Sequence, residues 1–150
     1  MSDPHGKVPD ALLTLSRPVT ADNPYGRWLM WVEVEFSDKP KAAHAHMVRA
    51  LCDVLGFGKQ RWEIASNSVL RHAVVVCPRT SHEYQLAEGV LQFLGANSTN
   101  YDVNYIVGHL VIWRPGAKEG VSLMEWIEDK PTFLALRDRL RLWWSPLPKR

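Results

Sequence analysis

Cysteine is scarce: Cys52 and Cys77 are the two in 150 residues. A disulfide-stapled secreted domain needs a denser framework than that. Both read as interior or element-end residues, where a reduced thiol acts as a small hydrophobe. Long apolar runs are missing as well. The densest, Trp28–Val32 and Ile106–Trp113, are far shorter than the ~20 residues of a membrane-spanning helix. Met1–Asp10 carries Asp3, His5 and Lys7 and no apolar stretch of signal-peptide length. These absences set the expectation of a cytoplasmic chain with no membrane partner. Asn97-Ser98-Thr99 has the form of a glycosylation acceptor, but without a secretion signal it reads as coincidence.

An excess of charge of one sign is also absent. Lys and Arg number 18 against 16 Asp and Glu, a net charge of +2, so bulk electrostatics announce neither nucleic acid nor membrane. Sharp catalytic signatures are missing too. Gly56-Phe57-Gly58 follows a helical pattern and lacks the third glycine of a dinucleotide loop. The chain holds no GxxxxGK[ST] phosphate loop, no GxSxG elbow and no CxxC pair. No cofactor and no metal are therefore expected.

What is there fits an ordinary globular chain, with 46% hydrophobic and 23% charged residues. A chain of this length buries roughly 70% of its unfolded surface. Tryptophan is the outlier, with seven residues.

Residues 1–26 hold four of the ten prolines and read as an extended arm, to which Leu12, Leu13 and Leu15 can add a short strand at 11–16. Arg27–Phe36 then alternates: Trp28, Met30, Val32, Val34 and Phe36 share one face, and Leu29, Trp31, Glu33 and Glu35 the other. The wholly apolar face is expected to lie beneath helices and the Trp31, Glu33, Glu35 face to look away. Pro40 opens a helix that carries Met47, Leu51 and Val54 and stops at Gly56. Arg61–Ala65 and Val69–Cys77 read as two strands joined by a hairpin. Thr80 and Glu83 have capping-box spacing before a second helix, with Leu86, Val90 and Leu94 on its stripe and Gly95 as its stop. Tyr101–Trp113 reads as one long strand. Ser122 with Glu125 caps a short helix, and Pro131 starts a last one through Arg141 or Trp144.

Over 27–113 the order is β-α-β-β-α-β, which specifies an α+β core of ferredoxin-like topology with an antiparallel sheet and both helices on one face. Residues 114–150 form a helical extension with a basic tail.

Candidate chemistry is thin. His44-Ala45-His46 has the spacing of the His-x-His metal pair of rolling-circle nucleases, but on a helix the two rings diverge by ~200°. Glu33 and Glu35 form a carboxylate pair suited to acid–base work, although Arg71 or His72 on the neighbouring strand can neutralise them. His109 interrupts an aliphatic run. Cys77 and His82 flank a helix start, where a thiolate gains support, yet a buried strand-end cysteine is the simpler reading. His72, His109, Glu33 and Glu35 are thus the weak catalytic candidates.

Two features remain. Tryptophan buries a large area with little rotamer loss and is enriched at interface hot spots. Arg137–Arg150 holds Arg137, Arg139, Arg141, Lys149 and Arg150 against one acid, Asp138. Trp31, Trp113, Trp144, Arg137, Arg139 and Arg141 are the candidate binding residues. Trp143 is expected inside, on the face of Phe133, Leu136 and Leu140, with Trp144 nearer the edge. The sequence reads as a non-catalytic binding or regulatory protein of inhibitor, adaptor or immunity type with a protein partner. A single-stranded nucleic-acid binder using the open sheet face and the basic C-terminal tail is the alternative, and a small-molecule enzyme with a His/Glu pocket the third class. Self-association through a sheet edge stays open in each.

Overall fold

The computed structural model describes residues 9–16, 27–35, 39–55, 63–64 and 68–144. In chain order the elements are β1 (Ala11–Ser16), β2 (Arg27–Val34), α1 (Lys41–Leu55), β3 (Glu63–Ile64), β4 (Ser68–Val76) and α2 (Thr80–Asn97). There follow α3 (Val103–His109), β5 (Leu110–Trp113), β6 (Val121–Ser122), α4 (Leu123–Ile127) and α5 (Pro131–Arg139). No helix among the described residues is long and apolar enough to cross a membrane.

The fold is mixed α+β, built on one sheet of order β1-β2-β4-β5-β6 with β3 beside the start of β4. β2, β4 and β5 run parallel, whereas β1, β3 and β6 pair antiparallel with their neighbours. This corrects the antiparallel ferredoxin-like expectation. That order reserves the outer edge of β2 for the last strand, but β1 occupies it. β3 covers only Ser68 and Val69 of β4, so β5 takes the open remainder alongside Ala73–Val76. Both parallel crossovers step the same way across the sheet, and right-handedness then puts their helices on one face.

The core fills the space between that face and the helices. Trp31, Ala73, Val75, Leu110 and Ile112 project from the sheet to meet the buried side chains of α1 and α2, with α3, α4 and α5 closing the cluster. Leu51, Leu55, Leu91 and Leu94 are fully buried, each stabilising the fold by about 1.5–3 kcal/mol relative to exposure.

Trp31 and Glu33 are therefore inside, at 0% and 2% exposure, which inverts the face assignment read from the β2 alternation. The acidic residues tolerate the interior because partners meet them there, as described below.

Tyr101–Trp113 is not one strand. Asp102 caps α3 by accepting from the Tyr105 N–H at 3.1 Å, and Tyr105, Ile106 and Val107 are buried. A short helix buried this broadly loses its 3.6-residue polar stripe and mimics a strand in sequence.

Ser122 does cap α4, its hydroxyl accepting from the Glu125 N–H at 3.1 Å. Thr80 and Glu83 do not form the expected capping box: Arg79 is the N-cap of α2, without a side-chain cap. The last helix ends early as well. Arg141 takes φ 57°, its N–H donates to the Asp138 carbonyl and the Leu142 N–H to the Arg137 carbonyl, at 3.1 and 3.0 Å. This is a Schellman stop. It turns Leu142 inward at 1% exposure and leaves Trp143 72% exposed, reversing the expected burial of Trp143.

Candidate functional site

The carboxyl ends of the three parallel strands meet at one edge, the usual place for ligands in open sheets with parallel strands. There the Glu35 N–H donates to the Val76 carbonyl and the Cys77 N–H to that of Trp113, both at 2.9 Å. Side chains of Glu33, Glu35, His82 and Glu83 are all buried nearby. Each carboxylate has structural company. The Trp31 indole N–H donates to Glu33 Oε1 at 2.9 Å. Lys39 Nζ stands 3.1 Å from Glu35 Oε1, an ion pair by distance although the oxygen has no aligned hydrogen bond.

Glu83 is the most tightly held. Its oxygens accept from Arg114 Nε and Nη2 at 2.9 and 3.0 Å and from the Trp126 indole at 2.9 Å. Lys130 Nζ lies 4.0 Å over the Trp126 ring and donates to the Trp126 carbonyl at 2.8 Å. Burial pushes the Glu83 pKa up, but the hydrogen bonds from Arg114 and Trp126 and the charges of Arg114 and Lys130 outweigh it, so the carboxyl sits below its usual range. It is thus a poor proton donor at neutral pH. The Cys77 thiol is pushed up to about 12 by burial and by the charges of Glu83 and Glu35, so it is no ready nucleophile. A cleft of about 290 Å³ opens beside this network, with Arg114, Glu125, Trp126 and Lys130 among its walls. Among the described residues, no three His, Cys, Asp or Glu side chains gather as metal ligands.

The structure does bring His72 and His109 together, with ring centroids 5.2 Å apart. Tyr105 stacks on His109 at 3.8 Å, and the Tyr105 carbonyl can only accept, so His109 Nδ1 donates to it, at 2.8 Å. His72 alternates with Ala73 and points to the opposite face of the sheet from Glu33 and Glu35. The sheet therefore separates His72 and His109 from Glu33 and Glu35. His44 and His46 lie in α1, and His44 Nε2 is 3.2 Å from the Gln85 carbonyl.

The third place is the turn after α5. Arg137 donates to Asp138 Oδ1 from Nε and Nη2, both at 3.0 Å, and its guanidinium stands 5.5 Å over the Trp144 ring. Arg139, the last residue of α5, and Arg141, at the turn, are exposed, as is Trp143. Of the other binding candidates, Trp31 is wholly interior and Trp113 half-buried at the end of β5. Lys149, Arg150, Trp62 and the side chains of Trp28 and Arg71 lie outside the described residues.

Sequence reasoning missed the Glu83–Arg114–Trp126 network. The available signal was that Glu83 shares the buried stripe of α2 with Ala87 and Val90. Comparison with family models, curated proteins and solved structures finds no match for this chain.

Proposed function

We propose that this chain is a non-catalytic binding protein, of the inhibitor, adaptor or immunity type, working in the cytoplasm. It engages a protein partner through Trp143, Trp144, Arg137, Arg139 and Arg141. The supporting observation is the 72% exposure of Trp143 on a turn whose backbone is fixed by two hydrogen bonds. A solvent-facing indole on a rigid support suits insertion into a partner's apolar pocket, where Trp is a frequent hot spot. Arg139 and Arg141, exposed on the end of α5 and the turn that follows, suit carboxylates on the pocket rim. A second reading uses the same groups on single-stranded nucleic acid, with a base stacked on Trp143 and phosphates on the arginines.

Affinity capture from native lysate, with and without nuclease, separates the two. The expected result is a nuclease-resistant partner held by the wild type and lost from Trp143→Ala, at a cost of about 2 kcal/mol or more. Arg139→Gln with Arg141→Gln should weaken capture and reduce its salt dependence. Nuclease-sensitive capture selects the second reading. Undiminished capture by Trp143→Ala, in a variant with an unchanged melting temperature, overturns both.

A further inference from the structure

Among the described residues, the β1 edge of the sheet carries none of the usual protections. β1 pairs with β2 on one side, and among the described residues no strand lies on its other side. Natural edge strands are kept from pairing by charges, proline, bulges or brevity. Ala11–Ser16 reads ALLTLS, six residues without charge or proline. The opposite edge, β6, is two residues long. Asp10, which precedes β1, is turned back toward the sheet, where its carboxylate accepts from the Val34 N–H at 2.8 Å. Leu12 packs against the core and anchors the strand, while Leu13 is 49% exposed.

We propose that β1 pairs antiparallel with β1 of a second copy of this chain about a two-fold axis through Leu13. Such an axis stands perpendicular to the sheet and keeps every side chain on its own face. Opposed positions must then share parity, since successive residues alternate faces. Centring on Leu13 sets Leu13 against its own counterpart, Ala11 against Leu15 and Leu12 against Thr14. Leu13 is in register with Met30, on the face away from the helices, so the two leucines close an apolar strip between the two Met30 positions. No like charges meet at the axis. A second copy is the favoured occupant because the strand is self-complementary in this register, as an isologous contact requires. Six residues span about 20 Å, so the contact belongs to the small, reversible class of interface. This surface is independent of the C-terminal turn.

The test is sedimentation equilibrium of the full chain over a dilution series. The wild type should dimerise reversibly, and Leu13→Lys should remain monomeric with an unchanged circular dichroism spectrum. Leu13→Cys provides a second readout. Opposed Cα atoms in an antiparallel pair lie about 4.5–5.5 Å apart, within disulfide range, so mild oxidation should give a covalent dimer. Cys52 and Cys77 are buried and do not compete. A wild type that is monomeric throughout, a dimer that survives Leu13→Lys, or a Leu13→Cys variant that fails to cross-link each overturns the proposal.

Discussion

Glu83 is 1% exposed, and its charge is kept by three donors drawn from two other parts of the chain. Burial raises its pKa, and the Arg114 and Trp126 hydrogen bonds together with the charges of Arg114 and Lys130 lower it by more. A carboxyl whose folded pKa is depressed stabilises the fold fully above its unfolded pKa, and loses that contribution as pH falls through the folded value. Charge-assisted hydrogen bonds contribute about 1.5–3 kcal/mol each way of counting. Arg114 is 62% exposed, so water screens its half of the pair and the low end applies. Glu83→Gln should therefore reduce the urea-unfolding free energy by about 1–2 kcal/mol near neutral pH. The gap between variant and wild type should close in acid, where wild-type Glu83 also takes up a proton. A gap that stays constant with pH would show that the carboxylate charge contributes nothing. The Thr80-x-x-Glu83 spacing pointed instead to a cap, because capping is local and legible. Arg114 and Trp126 stand 31 and 43 residues away, and no spacing rule reaches that far.

At the level of elements, α2 runs through Gly95 to Asn97, although glycine there read as a stop. The reason lies outside the helix. A Cβ on Gly95 would come within 2.9 Å of Leu140 Cδ2 and 3.2 Å of Leu140 Cβ. Leu140 is the C-cap of α5, with its N–H donated to the Leu136 carbonyl at 2.9 Å, so its Cβ is held against Gly95 even when Cδ2 rotates. Alanine improves a helix interior by about 1 kcal/mol over glycine, while overpacking costs about 1–3 kcal/mol. The clash should win. Gly95→Ala is expected to lower stability by up to about 2 kcal/mol in thermal melts, and adding Leu140→Ala should remove the interaction part of that loss. A raised melting temperature for Gly95→Ala alone would mean that α2 and α5 pack more loosely than this. The same contrast explains what the sequence made legible. α1 and α2 announced themselves through an apolar stripe against a polar one. α3 did not, because its flanks are covered and only the Asp102 cap marked it. In β2 the acidic face looked solvent-bound, yet Trp31 and Lys39 supply partners for Glu33 and Glu35 inside. Sheet order was illegible for a related reason: β5 pairs with β4 because β1 holds the edge of β2 and β3 is short, facts about competing strands rather than about any one of them.

For the whole molecule, two parallel crossovers in one direction gather the helices on one face and make a single core from Trp31 to Trp126. Both thiols are set in it. Cys52 is 0% and Cys77 1% exposed. Burial raises both, with Asp53 adding to the effect at Cys52 and Glu83 and Glu35 at Cys77. The thiolate is the form that reacts, so labelling at neutral pH requires the core to open. The two residues report on different regions: Cys52 lies within α1 and Cys77 at the carboxyl edge, beside the Glu83 network. If the core is one cooperative unit, labelling of both by an aromatic disulfide reagent should follow the loss of far-ultraviolet circular dichroism along a urea titration. Cys77 reacting at lower urea than the circular dichroism transition would mark the carboxyl edge as a separate unit that opens alone. Coincidence is expected, because Arg114, just after β5, and Trp126 on α4 both hold Glu83 on α2, so that edge cannot open without disturbing three elements of the common core.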